Sequence, residues 1–453
     1  MKKAFIIIAI AASMSSCGIY TQYQHPDSIM PEGLYRDIEP HGTTSLASLS
    51  WKELFADSKL QALIEQGLSN NTDLQVAYLK ITETEATLSV SRQAFLPSVS
   101  LTAQGSLNSL DGDKPTKTYS VAVLVDWELD LFGKLRNTKE GAKASVESSK
   151  AYHRAVQTQL IAAVADSYYT LLMLDKQLLI SNETLNNWTE NVRVMNALKT
   201  AGRTNESAVA QAEANKLVVE SAVLRLQKRI KEVENSLSAL LGMVPQSIDR
   251  TSLDQQNFPS GLASGVPLQL LSNRPDIQQA EYTLAQFFYA TNEARAAFYP
   301  GISLSGSAGW TNNAGGIILN PGQLLLNAIG SLVQPIFNRG TNKAKLKIAK
   351  AQQEEALLTF RQSLLNAGAE VNNALSQWQT ARQQLRLSDR QINSLQTVVH
   401  STRLMMQHGN TNYLEVLTAQ QTLLDAKLAV AEYKFDEIQG VISLYHALGG
   451  GTH

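Results

Sequence analysis

The chain states one design twice, at a distance of about 205 residues. Phe95-Leu96-Pro97-Ser98-Val99-Ser100-Leu101 returns as Phe298-Tyr299-Pro300-Gly301-Ile302-Ser303-Leu304. Ala201-Gly202-Arg203-Thr204-Asn205 returns as His408-Gly409-Asn410-Thr411-Asn412, and Leu241-Gly242 as Leu448-Gly449. The offsets run only from 203 to 207, so the halves agree in order and spacing. Self-similarity at a fixed period is read before any other pattern, because each copy is one structural unit. No low-complexity linker interrupts the repeat, so the 453 residues are read as two copies spanning 58–256 and 257–453.

Each copy joins alternating segments to very long helical ones. Around 98–109, Val99, Leu101, Ala103, Gly105 and Leu107 oppose Ser100, Thr102, Gln104, Ser106 and Asn108. Around 117–130, Tyr119, Val121, Val123, Val125, Trp127 and Leu129 oppose Ser120, Ala122, Asp126, Glu128 and Asp130, and Leu124 is the one break. Asp111 to Pro115 between them reads as a polar hairpin loop. The second copy supplies a strand at 301–312, a loop from Asn312 to Pro321, and a strand at about 328–335 that alternates poorly. Segments of ten to twelve residues with one apolar face suit a transmembrane barrel. By pattern alone they suit a sandwich equally well.

The helical segments weigh against a sandwich. From Lys143 to Ala201 there is no Gly or Pro, and from Thr341 to His408 only Gly368. Helices are expected at about 73–94, 135–200 and 206–241, and again at about 275–297, 341–408 and 413–448. The longest would run roughly 90–100 Å at 1.5 Å per residue. A short amphipathic helix ahead of them would start behind Ser58 as N-cap. Four strands cannot close a barrel, and open edges are not tolerated in hydrocarbon. Two, three or four copies would close barrels of about 8, 12 or 16 strands. Polar strand faces would then line a lumen and apolar faces meet lipid. Trp127, Tyr119, Trp310 and Tyr299 are candidates for interfacial aromatics or for plain packing.

The N-terminus reads as a secretory signal over residues 1–16, with Lys2 and Lys3 before the short apolar run Phe5 to Ala12. Cys17 is the only cysteine, which excludes an internal disulfide. Small residues before it resemble a bacterial lipobox, with Met14 where Leu is commoner. The cysteine is then the acylated first residue of a lipid-anchored, extended segment at 17–57; the alternative is an inert thiol. Net charge is −1, which gives no electrostatic case for nucleic acid. No window of about 18 apolar residues follows the N-terminus, so no transmembrane helix is expected. Seven scattered histidines (25, 41, 153, 400, 408, 446 and 453) offer no metal pair at helical spacing, and no phosphate-binding or nucleophile motif occurs. No metal, cofactor or catalytic residue is expected. Asp126, Glu128 and Asp130 could pair as in a glycosidase, or line a wet lumen.

The whole mature chain resembles the TolC-like outer-membrane efflux factors, in the lipoprotein branch that serves resistance-nodulation-division pumps. Cys17 in its lipobox, Asn70-Asn71-Thr72-Asp73-Leu74, Asp130 to Arg136, Arg274-Pro275-Asp276-Ile277, Ala294 to Pro300, Gln334 to Gly340 and Gly409 to Leu414 carry the resemblance. It implies a homotrimer with a twelve-stranded barrel in the outer membrane, continued by a helical tunnel through the periplasm. It implies a periplasmic adaptor and an inner-membrane pump as partners, and a passive exit duct rather than an enzyme. The turns Gly202, Arg203, Thr204, Asn205 and Gly409, Asn410, Thr411, Asn412 resemble the family's periplasmic tips, where adaptors bind. Glu415 falls where some relatives carry an aperture carboxylate, and a solvated helix charge is its other reading. Thr411 and Thr418 stand where relatives place acids, so an acidic aperture would be thinner here. An exit duct for secreted peptides, or a lipid-anchored coiled-coil scaffold without a pore, are the alternatives.

Overall fold

A computed structural model describes residues 20–26, 34, 49–109, 111–112, 115–256, 258, 274–312, 323–408, 411 and 413–452. Cys17 and most of the 17–57 segment lie outside these, as do Gly409, Asn410 and Asn412. The chain opens with α1 (Trp51–Leu54), α2 (Ser58–Asn70) and α3 (Thr72–Gln93), followed by β1 (Ser98–Asn108) and β2 (Thr116–Leu129). Then come α4 (Lys134–Thr200), α5 (Glu206–Leu240) and a 3-10 turn at Leu253–Gln255. The second copy is α6 (Pro275–Ala296), β3 (Gly301–Asn312), β4 (Gln323–Val333), α7 (Thr341–Gln407) and α8 (Tyr413–Ala447). The duplication is exact in helix length: α3 and α6 have 22 residues, α4 and α7 have 67, and α5 and α8 have 35.

Some local expectations change. Helix α1 was not expected; Ser50 and Glu53 form a reciprocal capping box that starts it. The N-cap of α2 is Asp57, not Ser58, because the Asp57 carboxylate accepts from the Lys59 amide at 2.9 Å and Ser58 is already helical. Strand β2 stops at Leu129, and Asp130 turns to cap α4 instead. Strand β4 starts at Gln323, five residues before the expected 328. The run Leu324-Leu325-Leu326 hides its alternation, since period two is invisible where both faces carry leucine.

The chain divides into two compact units, and the first comprises residues 1–30, 79–151 and 278–362. It holds one antiparallel sheet in the order β1-β2-β3-β4. The register sets Leu101 opposite Val123, Val121 opposite Trp310, and Trp310 opposite Leu324. Paired residues point to the same side of an antiparallel sheet, so one face is continuously apolar. The other face sets Ser98 opposite Asp126, Asp126 opposite Ser305, and Ser303 opposite Ser331. Among the described residues, strands β1 and β4 are each paired on one side only, so the sheet has two open edges.

The second unit comprises residues 31–78, 152–277 and 363–453. Its core gathers Phe55, Tyr168, Tyr169 and Tyr445 with many aliphatic side chains. Each large apolar side chain buried there contributes about 1.5–3 kcal/mol. Asp57 accepts hydrogen bonds from Tyr168 Oη at 2.8 Å, Gln256 Nε2 at 3.0 Å and the Thr251 hydroxyl, besides the Lys59 amide. Burial works to raise this carboxyl, but the four donors outweigh it and hold it below the usual aspartate range. Arg250 adds a partly buried double ion pair to Asp175 and Glu234.

The repeated Leu-Gly pair is a repeated helix stop. Gly242 (φ +67°) and Gly449 (φ +82°) are both left-handed. Met243 N donates to Ser238 O at 2.8 Å, and Gly450 N to Tyr445 O at 2.9 Å, which is the Schellman closure in both copies. Each stop is latched from the following or preceding short helix by one buried side chain. Asn71 Nδ2 donates to Leu240 O at 2.9 Å, and Arg274 Nη1 donates to Ala447 O at 2.8 Å. Arg274 also holds Asp276 through two bonds (3.0 and 2.7 Å) and Glu370 at 2.7 Å. Burial and the Arg274 cation push the neighbouring His446 below its ordinary value, which keeps that ring neutral at pH 7.

Candidate functional site

The sheet is built to sit between lipid and water. Its apolar face is solvent-open in the single chain, with Leu101 72 % exposed and Val99, Leu107, Leu304, Leu326 and Leu332 also exposed. A contiguous exposed apolar face of this extent requires a covering partner. Tyr119 and Trp310 stand at its loop end, Trp127 at its helix end, and Phe132 stacks on Tyr299 at 5.2 Å below it. Trp127 Nε1 donates to Phe95 O at 2.9 Å. Aromatic groups at both ends of an apolar band match the two interfaces of a bilayer. Among the described residues no helix is long and apolar enough to cross a membrane.

On the polar face the three carboxylates have separate partners. Ser305 Oγ donates to Asp126 at 2.7 Å, Lys134 Nζ pairs with Glu128 at 2.9 Å, and Asp130 accepts the Leu135 and Arg136 amides at 3.0 and 2.8 Å. Asp130 is a helix cap and Glu128 is paired. This does not set two carboxyls around one substrate, as a glycosidase needs. Among the described residues no cluster of His, Cys, Asp and Glu is placed to hold a metal.

The far ends of the long helices are tight turns. After α4, Gly202 (φ +71°) donates to Lys199 O at 2.9 Å, and Arg203 N donates to Leu198 O at 2.9 Å. Asn205 Oδ1 then accepts from Ala208 N at 3.0 Å and starts α5, while Lys199 pairs with Glu206. Arg203 is exposed. In the second copy the Thr411 hydroxyl donates to the Glu415 carboxylate. Thr418 turns its hydroxyl back to Leu414 O at 2.9 Å. Glu415 and Thr418 share the exposed side of α8, while Val416 and Leu417 are buried on the other. Tyr413 was not singled out from sequence. Its ring packs against both tip clusters, those of Trp188 and Met195. Burial of its hydroxyl pushes the pKa up to about 12, against a small opposing pull from Arg403. Its place directly after the Asn-Thr-Asn turn, facing an apolar groove, was the only available signal.

A membrane-crossing sheet whose strands run into long paired helices defines an outer-membrane channel, not an enzyme. The family model described as outer membrane efflux protein matches residues 63–243 and again 266–450, once per repeat, and the chain belongs to that family. The cation efflux system protein CusC of Escherichia coli (strain K12) is 30% identical over 98% of this chain and 98% of its own length. The probable outer membrane lipoprotein SilC of Salmonella typhimurium is 30% identical over 95% of this chain and 94% of its own. The solved structure of the outer-membrane channel OprN superposes with a TM-score of 0.88 at 28% identity, covering 96% of this chain and all of that one. The TolC-like fold, the efflux role and the outer-membrane location expected from the sequence are thereby established.

Proposed function

We propose that three copies close a twelve-stranded barrel, and that the resulting duct is the passive exit of a tripartite efflux assembly with a periplasmic adaptor and an inner-membrane resistance-nodulation-division pump. The observation that carries this reading is the four-stranded sheet with its two open edges. Hydrocarbon leaves no stable option for those edges but pairing with another copy. In this reading the tips at 202–205 and 409–412 meet the adaptor, and Glu415 lines the aperture with Thr411 and Thr418 beside it. The hydrogen bond from Thr411 supports that placement, because it holds the carboxylate at the helix start rather than leaving it to wander.

Cys17 carries the lipid anchor. Tyr20 packs on Gly133, at the foot of the sheet, where an added Cβ would lie 3.4 Å from the tyrosine ring. The chain's share in substrate choice is limited to the aperture; the cation efflux named for one relative fits a cation-leaning Glu415 ring.

Planar-bilayer conductance and mass in detergent test the reading together. A trimer with small, cation-leaning currents that rise on Glu415→Ala is the expected result. Currents indifferent to that change remove Glu415 from the aperture, and a monomer without current overturns the duct.

A further inference from the structure

The first unit contains a cavity of about 780 Å³ that the efflux path does not explain. It lies where β2 turns into α4. It is lined by Phe95 and Phe132, by Tyr20 of the N-terminal segment, and by Arg136, Lys139 and Lys143 of α4. The three cations fall three and four residues apart, so they share one face of α4. Lys139 lies over the Phe95 ring at 5.6 Å and near Glu140 at 3.5 Å. Arg136 and Lys143 are exposed, and no ion pair engages either among the described residues. Glu140 is the one acid lining the cavity. The Tyr20 ring packs on Gly133, and both residues line the cavity.

Two further observations fix the depth of this cavity. The apolar band of β2 ends at Leu129, and its interfacial Trp127 donates to the backbone of Phe95, which lines the cavity. Arg136 and Lys143 are separated by about 10 Å along the helix, close to the thickness of a headgroup layer plus one lysine's reach. The cavity is therefore rich in cations, lined in part by aromatics, and placed just beyond the end of the apolar band of β2. Two cations without an ion-pair partner at the edge of the apolar band favour an anionic headgroup over a neutral one.

We propose that this cavity seats the phosphate headgroup of an anionic phospholipid of the periplasmic leaflet, with Arg136 and Lys143 on the phosphate and Phe95 and Phe132 against the first acyl carbons. The headgroup, rather than the chain's own anchor, is the occupant because the walls are cationic and a diacylglyceryl cysteine carries no phosphate. The inference rests on the outer-membrane reading. It adds a role for the foot of the sheet as a lipid-locked collar.

The test is native mass spectrometry of the full-length, delipidated protein titrated with phosphatidylglycerol or phosphatidylcholine. Wild type is expected to retain phosphatidylglycerol in preference. The Arg136→Gln/Lys143→Gln double variant should bind it at least about tenfold more weakly, while Lys150→Gln, two turns further along α4, should match wild type. Equal phosphatidylglycerol affinity in the double variant overturns the proposal. So does displacement of the lipid by an equal concentration of inorganic phosphate, which would mark a bare anion site. Binding that appears only in a Cys17→Ser protein would show the cavity filled by the chain's own anchor and would overturn it too. Wild-type conductance is read on the same preparation: a protein that forms no channel overturns the membrane reading and this proposal with it, whereas a channel that ignores the headgroup overturns the proposal alone.

Discussion

Removing Arg274 should separate a helix cap from an ion cluster. Arg274 is 3% exposed, and its guanidinium makes four contacts: two to Asp276, one to Glu370 and one to the Ala447 carbonyl. Arg274→Gln retains an amide that can reach Ala447 and forfeits the three charged contacts. Those partners are 47% and 50% exposed, so water takes them back and each contact counts for about 0.5 kcal/mol rather than its buried value. Arg274→Ala also orphans a buried carbonyl, at about 1–3 kcal/mol. The expected losses are about 1.5 kcal/mol for Gln and about 4 kcal/mol for Ala. For a chain this long these convert to roughly 2 °C and 5 °C in the unfolding midpoint. Thermal scans by far-ultraviolet circular dichroism, at one protein concentration and one scan rate, read both. A pH series adds a second handle. Burial works to raise Asp276, but Arg274 outweighs it and holds the carboxyl below its ordinary 3.8. The stability this supplies is present above the unfolded value and is lost as pH falls through the lower folded value. The gap between wild type and Arg274→Gln should therefore narrow below about pH 4. Equal midpoints for Gln and Ala, or a gap that ignores pH, refute the reasoning.

Two further outcomes follow from the turns and from the Asp57 hub. Gly202 and Gly242 have nearly equal left-handed φ, but a Cβ at 202 meets nothing within 4 Å, whereas one at 242 would lie 2.8 Å from Asn70 O. Gly202→Ala should cost about 1–2 kcal/mol and Gly242→Ala clearly more, as unfolding midpoints will show; equal costs remove the clash from the account. Asp57, held below the usual range by its donors, supplies stability at neutral pH that disappears as pH falls through its folded pKa. Asp57→Asn should lower the midpoint at about pH 7 and flatten its decline between about pH 5 and pH 3, and an unchanged acid limb in the variant would exclude Asp57 from it.

The strands and long helices were legible because their periodic segments are long, and each segment recurs in the second copy. The apolar ladder through Val99, Val121, Trp127 and Ile302 could be written down residue by residue before its register was known. What stayed hidden was of two kinds. Some signals were overwritten, as in β4, where leucines on both faces erase the alternation. Others depend on distant partners. Nothing local distinguishes Asn71 from any other asparagine before a helix, and its partner Leu240 O is a backbone atom 169 residues on. The Arg-Pro-Asp motif shows Arg274 next to its local partner Asp276, yet nothing in it points to Glu370 or to the carbonyl end of α8, which Arg274 also holds.

For this latch, the repeat holds a further clue. Asn71 and Arg274 stand 203 residues apart, and their targets Leu240 and Ala447 stand 207 apart, within the same drift as the visible motifs. Comparing the copies position by position therefore identifies the latch even though neither residue resembles the other. It also identifies where the copies had to differ. A neutral amide suffices at Leu240, because no acid faces Asn71 among its contacts. At Ala447 the same backbone task falls beside Asp276 and Glu370, and only a cation with several donors can satisfy the carbonyl and both carboxylates at once. The latch residues thus differ between the halves because one geometry must serve two electrostatic settings, while the helix lengths are the same in both.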